Sequence, residues 1–479
     1  MLDALQAPLI LGKTGRFSFQ VYQISQAERR AHTYVIGTTT KGKSKLLEHC
    51  LFQDITHNRG TGLIDPHGDL ADDILRYLVS FKNRSYMSKG YFEDNHNADK
   101  IVYLDPTRTD YIIPFNPLAK NTNTPDYDVA LEMVEIFRRV WSDSLREAPQ
   151  FSNIFLNSLL VLLANNLTLL ELQKLLTNRD YREFLLQQVK NPEIVNFFHE
   201  RYDKWGREAP IMIESTLNKV NAFTLNDQLK LILGQKRSIN LRQIMDEGLV
   251  LIVNLGSCAE ETAKLLGSLL TVKIQQTALS RRDISLRENR KPFYLYLDEF
   301  QIFVAHEGGV KTFSRILSEA AKFGLHLILA HQTQSQMSDL MRGAIGNIGI
   351  KVVFGIERND AEFVAKGIFL PDIGKIKEEA KTETQHSLYD PLVNQWESFT
   401  QLIDKKSLPA REAYVVSHNR PAVKIRTIDV KDRNCRQDEL ELIKKYSAMK
   451  WGRPIGVIRA EMEQRANQPV KTEHNLEFE

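Results

Sequence analysis

A short glycine-bounded loop near the amino end constrains this chain more than any other feature. Residues Gly37-Thr38-Thr39-Thr40-Lys41-Gly42-Lys43-Ser44 match the Walker A pattern G-x-x-x-x-G-K-S. They follow the apolar run Tyr34-Val35-Ile36 and precede a helical pattern, which is the context that the motif requires. A chance match in a loop rich in threonine and lysine is the alternative. The context favours a P-loop nucleotide-binding fold.

The residue types in this loop predict what it binds. Gly37 and Gly42 let the backbone aim N–H groups at a triphosphate, Lys43 reaches the β- and γ-phosphates, and Ser44 offers a hydroxyl to Mg²⁺. We therefore expect ATP and Mg²⁺ as cofactors. The predicted nucleotide-binding residues are Gly37, Thr38, Thr39, Thr40, Lys41, Gly42, Lys43, Ser44 and Lys45.

A second motif combines an apolar run at 293–297 with two carboxylates, Asp298 and Glu299. Carboxylates commonly end strands at surfaces, so this pattern alone is weak. Together with a Walker A loop it predicts a Walker B strand. Asp298 would then hold Mg²⁺ with Ser44 or through water, and Glu299 would polarise the water that attacks the γ-phosphate.

An amide side chain, Gln332, follows the next apolar run at 325–330. If that strand lies beside the Walker B strand, Gln332 can contact the γ-phosphate and sense its loss. The alternative is a polar strand end in solvent. We predict Gln332 as the sensor.

Near-continuous apolar runs recur along the chain at long intervals, with helical patterns between most of them. They indicate an α/β fold with a mostly parallel sheet that is buried on both faces, as in a RecA-like P-loop NTPase core. Further strand-like runs lie at 16–22, 412–416 and 423–427. The main runs are 62–65, 101–105, 249–254, 293–298, 325–330 and 350–354.

From about residue 127 to residue 233 the strand-like runs stop, and apolar residues such as Phe151, Phe155 and Leu159 recur at helical spacing. We predict an all-helical insertion at 121–240. The RecA-like core would comprise 1–120 and 241–430, and 431–479 would form C-terminal helices and a tail. The insertion is either a lid on the sheet or a lobe that touches substrate or a partner.

The net charge and the cysteine spacing give no evidence for nucleic-acid binding, a zinc site or a disulfide framework. The 479 residues include 63 Lys and Arg against 60 Asp and Glu, and the resulting charge of +3 does not by itself indicate nucleic acid. Three cysteines without C-x-x-C spacing indicate neither a zinc site nor a disulfide framework.

Any contact with DNA would have to come from local basic patches. The candidate patches are Arg281, Arg282, Arg287, Arg290 and Lys291, and separately Lys236 and Arg237.

The sequence also bears on location. The longest apolar run, about 159–164, is far shorter than the roughly 20 residues of a membrane-spanning helix. The amino end does not match a secretory signal. We expect a cytoplasmic protein with no direct membrane span.

The motifs together resemble the type IV secretion coupling proteins of the TraG/TraD class, in the HerA/FtsK group of ring-forming DNA-pumping ATPases. The resemblance covers about residues 29–370. Besides the Walker motifs it rests on these segments: Arg29-Arg30-Ala31-His32, Ile64-Asp65-Pro66-His67-Gly68-Asp69, Phe115-Asn116-Pro117-Leu118, Asn240-Leu241-Arg242, Val253-Asn254-Leu255, Asp298-Glu299-Phe300-Gln301, Leu317-Ser318-Glu319, Ala330-His331-Gln332, Gly346-Asn347 and Asp360-Ala361-Glu362.

This resemblance implies a homo-hexameric motor that hydrolyses ATP and translocates DNA in conjugation or a related process. It also implies a relaxase or a secretion channel as partner. The helical insertion is similar in position to the family's all-alpha domain, which meets DNA or relaxase at the mouth of the ring. Because the family's usual membrane anchor is absent, a partner would have to recruit the chain to the inner face of the membrane.

Two positions depart from the family pattern. The phosphate loop contains Lys41, whose charge would bind phosphate or contact a neighbour. HerA-like members carry an arginine in Gly-Arg-Lys-Phe-Gly that acts on ATP across the subunit interface, and here Ala321 replaces it. Lys322, Arg315 or Arg342 would have to substitute, or turnover is slow. Lys322 is the predicted catalytic substitute.

Three hypotheses follow. The first is the DNA-translocating ring ATPase. The second is a HerA-like motor that acts with a separate nuclease in defence or repair. The third is a nucleotide-gated recruiter of relaxase or protein substrates with little turnover. Stimulation of hydrolysis by DNA, as against a protein partner, distinguishes the first from the third.

Overall fold

A computed structural model describes most of the chain. The described residues are 5–15, 20–80, 95–119, 124–141, 150–304, 317–335, 337–371, 392–418, 420–431 and 435–466. The predicted strand at 16–22 is described from Gln20 onward, and Arg315 lies outside the described residues.

Thirteen strands are found in the described part of the chain. They are β1 Leu9–Thr14, β2 Gln20–Ile24, β3 Thr33–Ile36, β4 Gly60–Asp65, β5 Ile101–Leu104, β6 Tyr111–Ile112, β7 Val250–Asn254, β8 Phe293–Leu297, β9 Leu325–His331, β10 Ile350–Val353, β11 Glu412–Ser417, β12 Val423–Thr427 and β13 Arg453–Pro454.

The α-helices are named here in chain order. They are α1 Gln26–Arg29, α2 Lys43–Thr56, α3 Asp69–Ser80, α4 Asn95–Ala98, α5 Asp126–Val140, α6 Phe151–Ala164, α7 Leu172–Thr177, α8 Arg179–Leu186, α9 Pro192–Asn196, α10 Ala209–Thr224, α11 Asp227–Leu233, α12 Leu241–Glu247, α13 Glu260–Ser280, α14 Gln301–Val304, α15 Asp339–Gly346, α16 Arg358–Ile368, α17 Leu392–Ile403, α18 Gln437–Trp451 and α19 Ile455–Ala466.

Eleven of these strands form one sheet in the order β2-β1-β12-β11-β10-β3-β9-β8-β4-β7-β5. The seven strands from β10 to β5 are parallel to one another, and the four strands at the other edge are antiparallel. This mixed but mostly parallel sheet confirms the predicted α/β fold. β6 and β13 pair separately.

Alternate side chains of the central strands enter two cores. Tyr34 and Ile36 face one core and Val35 faces the other. The Val35 side is covered by leucines and isoleucines of α2 and α3, and the opposite side is covered by α12, α13, α15 and α16. Because both faces are buried, the central strands read as continuous apolar runs.

The described residues between β6 and β7 form helices joined by loops and no strand. These helices pack through an aromatic cluster. The ring of Phe137 lies 4.4 Å from that of Phe155 and 5.8 Å from that of Phe223, centroid to centroid. The buried ammonium of Lys273 on α13 donates to the carbonyls of Pro117 (3.1 Å) and Ala119 (2.8 Å). It thus ties the segment that precedes these helices to the core. Among the described residues, none of the helices has the length and apolar character needed to cross a membrane.

Candidate nucleotide-binding site

The Walker A residues connect β3 to α2 at the carboxyl edge of the parallel strands. Both the backbone N–H and the hydroxyl of Thr38 donate to the carbonyl of Gly355, each at 3.0 Å. Gly42 has a φ of 106°, a conformation that favours glycine, and α2 begins at the next residue. The exposed Ser44 lies in the first turn of that helix. Free backbone N–H groups at such a helix start suit a phosphate.

The Walker A and Walker B residues meet in this structure. The ammonium of Lys43 donates to the carboxylate of Glu299, and it lies 3.9 Å from a carboxylate oxygen of Asp298. All three side chains are buried. The two motifs are 256 positions apart along the chain. The sheet therefore assembles the predicted cation and both predicted carboxylates at one point.

Glu299 is held by several donors. Besides Lys43, it accepts a hydrogen bond from the amide of Gln301 at 2.9 Å, and the nearby amide of Gln332 favours its charged form. Burial alone would raise the pKa of Glu299, but the charge of Lys43 and these hydrogen bonds lower it below its usual value. The carboxylate is therefore ionised at neutral pH, as a group that polarises water must be.

The backbone at Glu299 has a φ of 43°, in the left-handed region that non-glycine residues rarely adopt. Such strain persists only where the surroundings enforce it, and it concentrates at functional sites. Here Phe300 N–H donates to the carbonyl of Ala330 at 3.2 Å. This bond to β9 helps to hold the turn that places Glu299 opposite Lys43.

β9 lies between the P-loop strand β3 and the Walker B strand β8. His331 at its end is level with Ile36, and Gly37 N–H donates to the His331 carbonyl at 3.2 Å. Gln332, the next residue, lies near Glu299 and favours the ionised form of that carboxylate. Gln332 therefore follows the strand that adjoins the Walker B strand, and its role as the sensor stays a prediction.

A cavity of about 470 Å³ opens beside the phosphate loop, a size within the range of ligand pockets. At its rim Lys405 forms an ion pair with Glu357. The residues that line it are Thr38, Thr39, Thr40, Lys41, Gln332, Thr333, Glu357 and Lys405.

Two lysines of the predicted site have other partners for their side chains. The ammonium of Lys41 donates to the carbonyls of Lys405 and Leu408, so it holds the loop before β11. That of Lys45 pairs with Glu48 (2.8 Å) and Asp73 (3.2 Å). Their backbone groups remain in the loop and the first helical turn. Their part in nucleotide binding stays a prediction.

Ser44 and Asp298 are oxygen donors of the kind that Mg²⁺ prefers. Burial raises the pKa of Asp298 to about 6, Lys43 opposes this, and the charges of Glu299 and Asp65 add to it. This concentration of negative charge fits a divalent cation. Among the described residues, no three His, Cys, Asp or Glu side chains form a metal cage. Nucleotide oxygens and water would have to complete the shell.

The residues predicted to act across an interface lie elsewhere. Lys322 is exposed and precedes β9, so it lies at the amino edge of the sheet, opposite the phosphate loop. Ala321 adjoins it. Arg342 lies on α15, where its guanidinium pairs with Asp339 at 2.5 Å. Neither basic residue joins the site within one chain, and a role in a neighbouring subunit stays a prediction.

The sequence analysis gave no role in the site to three residues that the structure places here. Gln301, Glu357 and Lys405 contact or border the site. Gln301 could have been inferred from its position two residues after Glu299. Glu357 and Lys405 follow no motif, and they reach the site only because β10 adjoins β3.

No protein-family model matches the chain, and no curated protein sequence does either. Solved structures do. The bacterial conjugative coupling protein TrwBΔN70 in an unbound form has a TM-score of 0.54 and 17% identity, over 88% of this chain and 92% of that one. Plasmid coupling protein TrwB in complex with ADP and Mg²⁺ has a TM-score of 0.55 and 16% identity, over 91% and 97%.

The similarity extends to a second kind of protein. VirB4 of Thermoanaerobacter pseudethanolicus has a TM-score of 0.53 and 12% identity, over 91% of this chain and 98% of that one. At such identities the likeness establishes the fold. The predicted resemblance to coupling proteins is therefore confirmed at the level of architecture, over about nine-tenths of the chain.

Proposed function

We propose that this chain is an ATPase that uses hydrolysis to translocate DNA, like the coupling proteins of conjugation and type IV secretion. One observation carries the hydrolytic part. Lys43, Asp298, Glu299 and Gln332 converge at the carboxyl edge of the sheet, beside a phosphate loop at the start of a helix.

Each of these side chains has a task in this proposal. Lys43 leaves Glu299 and neutralises the β- and γ-phosphates. Glu299 then accepts the proton of the attacking water and orients it. Gln332, which lies near Glu299 and favours its ionised form, registers whether a γ-phosphate is present. Magnesium, held by Ser44 and Asp298, would supply positive charge to the phosphate oxygens.

The structural neighbours support a purine nucleotide with Mg²⁺ as the ligand. TrwB has been solved with an ATP analogue, with a GTP analogue, and with ADP and Mg²⁺. The similar fold and this chain's own phosphate loop support ATP and Mg²⁺ for this chain.

DNA translocation is the finer part of the proposal. It is supported by likeness in fold to a conjugative coupling protein over nearly the whole chain. We propose a homo-hexameric ring with DNA in its channel. A relaxase or a secretion channel would be its partner, and would bring it to the inner face of the membrane.

Steady-state ATP hydrolysis, with and without single- or double-stranded DNA, tests this proposal. A Lys43→Ala variant is the control, and a sizing run reports the ring. We expect several-fold stimulation by one form of DNA, lost in the variant. Turnover near background with every DNA, although ATP binds, would contradict the motor.

A nucleotide-gated recruiter is the second candidate. It is favoured by the combination of Ala321 in place of the trans-acting arginine and of Lys322 and Arg342 lying outside the site of their own chain. It predicts that a relaxase or another protein, and not DNA, changes nucleotide turnover. Adding each to the same assay distinguishes the two.

A further inference from the structure

A second cavity, of about 400 Å³, lies on the face of the sheet that carries Tyr34, between β10 and the helices α15 and α16. It shares no lining residue with the cavity beside the phosphate loop. Its size falls within the range of small-molecule sites. The lining residues used below are Tyr34, Gln334, Arg342, Lys351, Phe363 and Lys366.

The charge on its wall is positive. Lys351 is partly buried and donates to the Gly346 carbonyl at 3.0 Å, and burial lowers the pKa of its ammonium. Lys366 is exposed. Among the described residues, no ion pair joins either lysine to a carboxylate. Arg342 pairs with Asp339, but that carboxylate is 97% exposed and compensates little. An anion at this wall would gain from all three cations.

One polar side chain that lines the cavity, Gln334, has an atom without a hydrogen-bond partner in the described part of the chain. Gln334 is only 6% exposed, its backbone N–H donates to Asp360 at 2.8 Å, and its amide nitrogen donates to the hydroxyl of Tyr34 at 3.2 Å. Its amide oxygen is buried without a hydrogen-bond partner in the part of the chain that the structure describes. A buried acceptor without a donor carries a cost in stability. A ligand N–H would satisfy this oxygen once the amide turns toward the cavity, because the oxygen is closed to solvent as it stands.

The rest of the lining suits a flat ring. The side chain of Phe363 is 54% exposed, and the guanidinium carbon of Arg342 lies 5.6 Å from its ring centroid. Aliphatic side chains, among them Ile345 and Val353, complete the wall. Aromatic and guanidinium planes stack on nucleobases, and a glutamine amide hydrogen-bonds to base edges.

We propose that this cavity is a second nucleotide site, which binds one nucleoside monophosphate unit. The base would stack at Phe363 and donate an N–H to Gln334, and the phosphate would lie among Arg342, Lys351 and Lys366. The unit is either a free mononucleotide or one nucleotide of a DNA strand. This site does not depend on hydrolysis at the phosphate loop.

Photo-crosslinking of the full chain with 8-azido-AMP, followed by peptide mapping, tests this proposal. We expect labelling of peptides from the Gln334 segment or α16 in both the wild-type and the Lys43→Ala protein. AMP should compete with the probe, and inorganic phosphate should compete much less well. A short oligonucleotide that competes as well as AMP identifies a DNA strand as the source, and one that does not identifies a free nucleotide.

Variants make the test specific. Lys351→Met and Lys366→Met should each weaken binding several-fold, to roughly tenfold for the more buried lysine, as expected for a charge-assisted contact. Lys366 is exposed, so its variant tests the proposal even if Lys351→Met fails to fold. Arg358→Met, on the same helix but paired with Glu362 and Glu397, is the control. Labelling confined to phosphate-loop peptides, equal competition by phosphate, or an unchanged affinity in both lysine variants would overturn the proposal.

Discussion

Lys43 donates to the carboxylate of Glu299, so the cation of the phosphate loop and the predicted water-polarising carboxylate hold each other. A triphosphate that enters this site has to draw Lys43 away from Glu299. Binding therefore breaks a buried ion pair before it gains the contact with phosphate.

Glu299→Gln should bind ATP several-fold more tightly than the wild type, because the neutral amide competes less for Lys43. Hydrolysis should fall by about 100-fold or more, since a general base typically contributes that much. Fluorescent-nucleotide titration and phosphate release measure the two effects. Glu362→Gln, a change of the same type at an exposed residue of α16, is the control. Weaker binding by Glu299→Gln would contradict the competition.

Lys41→Met should lower the stability of the protein more than its affinity for ATP. The variant leaves the carbonyls of Lys405 and Leu408 without their donor, and we expect a loss of about 1–3 kcal/mol in the free energy of unfolding. ATP affinity should fall only a few-fold, whereas Lys43→Met should lose most of it. Urea unfolding and nucleotide titration of both variants decide this. If Lys41→Met keeps its stability and binds ATP as poorly as Lys43→Met, then Lys41 contacts phosphate.

Arg29→Met should destabilise the protein by about 3 kcal/mol, as expected for breaking a buried ion pair. Arg29 donates twice to Asp54, at 2.6 and 2.7 Å, and it stacks 3.7 Å above the ring of Tyr294. Arg59 would remain as a partner of Asp54 and limit the loss.

Arg30→Met is the matched control for Arg29, because the adjacent Arg30 is exposed. We expect it to change the free energy of unfolding by less than about 0.5 kcal/mol. Equal urea midpoints for the two variants would show that the Arg29 pair contributes little.

His32 should make the protein less stable in acid. Its Nδ1 accepts from Leu327 N–H and its Nε2 bonds to the Leu317 carbonyl, both at 2.9 Å, which fixes the neutral ring. Burial lowers its pKa to about 4, from the 6.5 of a free histidine. Between pH 6.5 and pH 4 the unfolded chain binds a proton that the folded chain does not. The free energy of unfolding therefore decreases by up to about 3 kcal/mol as the pH is lowered through this range.

His32→Asn, whose side-chain oxygen can accept from Leu327, should lose part of this slope. Urea unfolding at pH 7 and at pH 4.5 measures it, and the difference between the two proteins isolates His32 from other titrating groups. Parallel pH profiles for the wild type and the variant would contradict this assignment.

Much of the parallel part of the sheet could be predicted, because strands buried on both faces leave continuous apolar runs such as 293–297. β1 could not. Its pairing with β12 joins residues more than four hundred positions apart, and its sequence contains Gly12 and Lys13, which weaken the apolar pattern. Long-range pairing at an antiparallel edge leaves no local pattern.

In the site, too, some residues could be predicted from the sequence and others could not. Lys43, Asp298 and Glu299 were predicted from motifs, since their chemistry requires those residue types. The placement of Gln332 next to the Walker B strand followed from strand order. The partners of Lys41 could not be predicted, because they are backbone carbonyls about 365 positions away, and any residue type supplies a carbonyl.

In the proposed function, hydrolysis at Glu299 moves the protein along DNA. Displacement of streptavidin from biotin-labelled oligonucleotides, single- or double-stranded, measures this directly. We expect displacement that requires ATP and Mg²⁺ and is absent with Glu299→Gln. Hydrolysis of ATP by the wild type with no faster release of streptavidin from either form of DNA would contradict it.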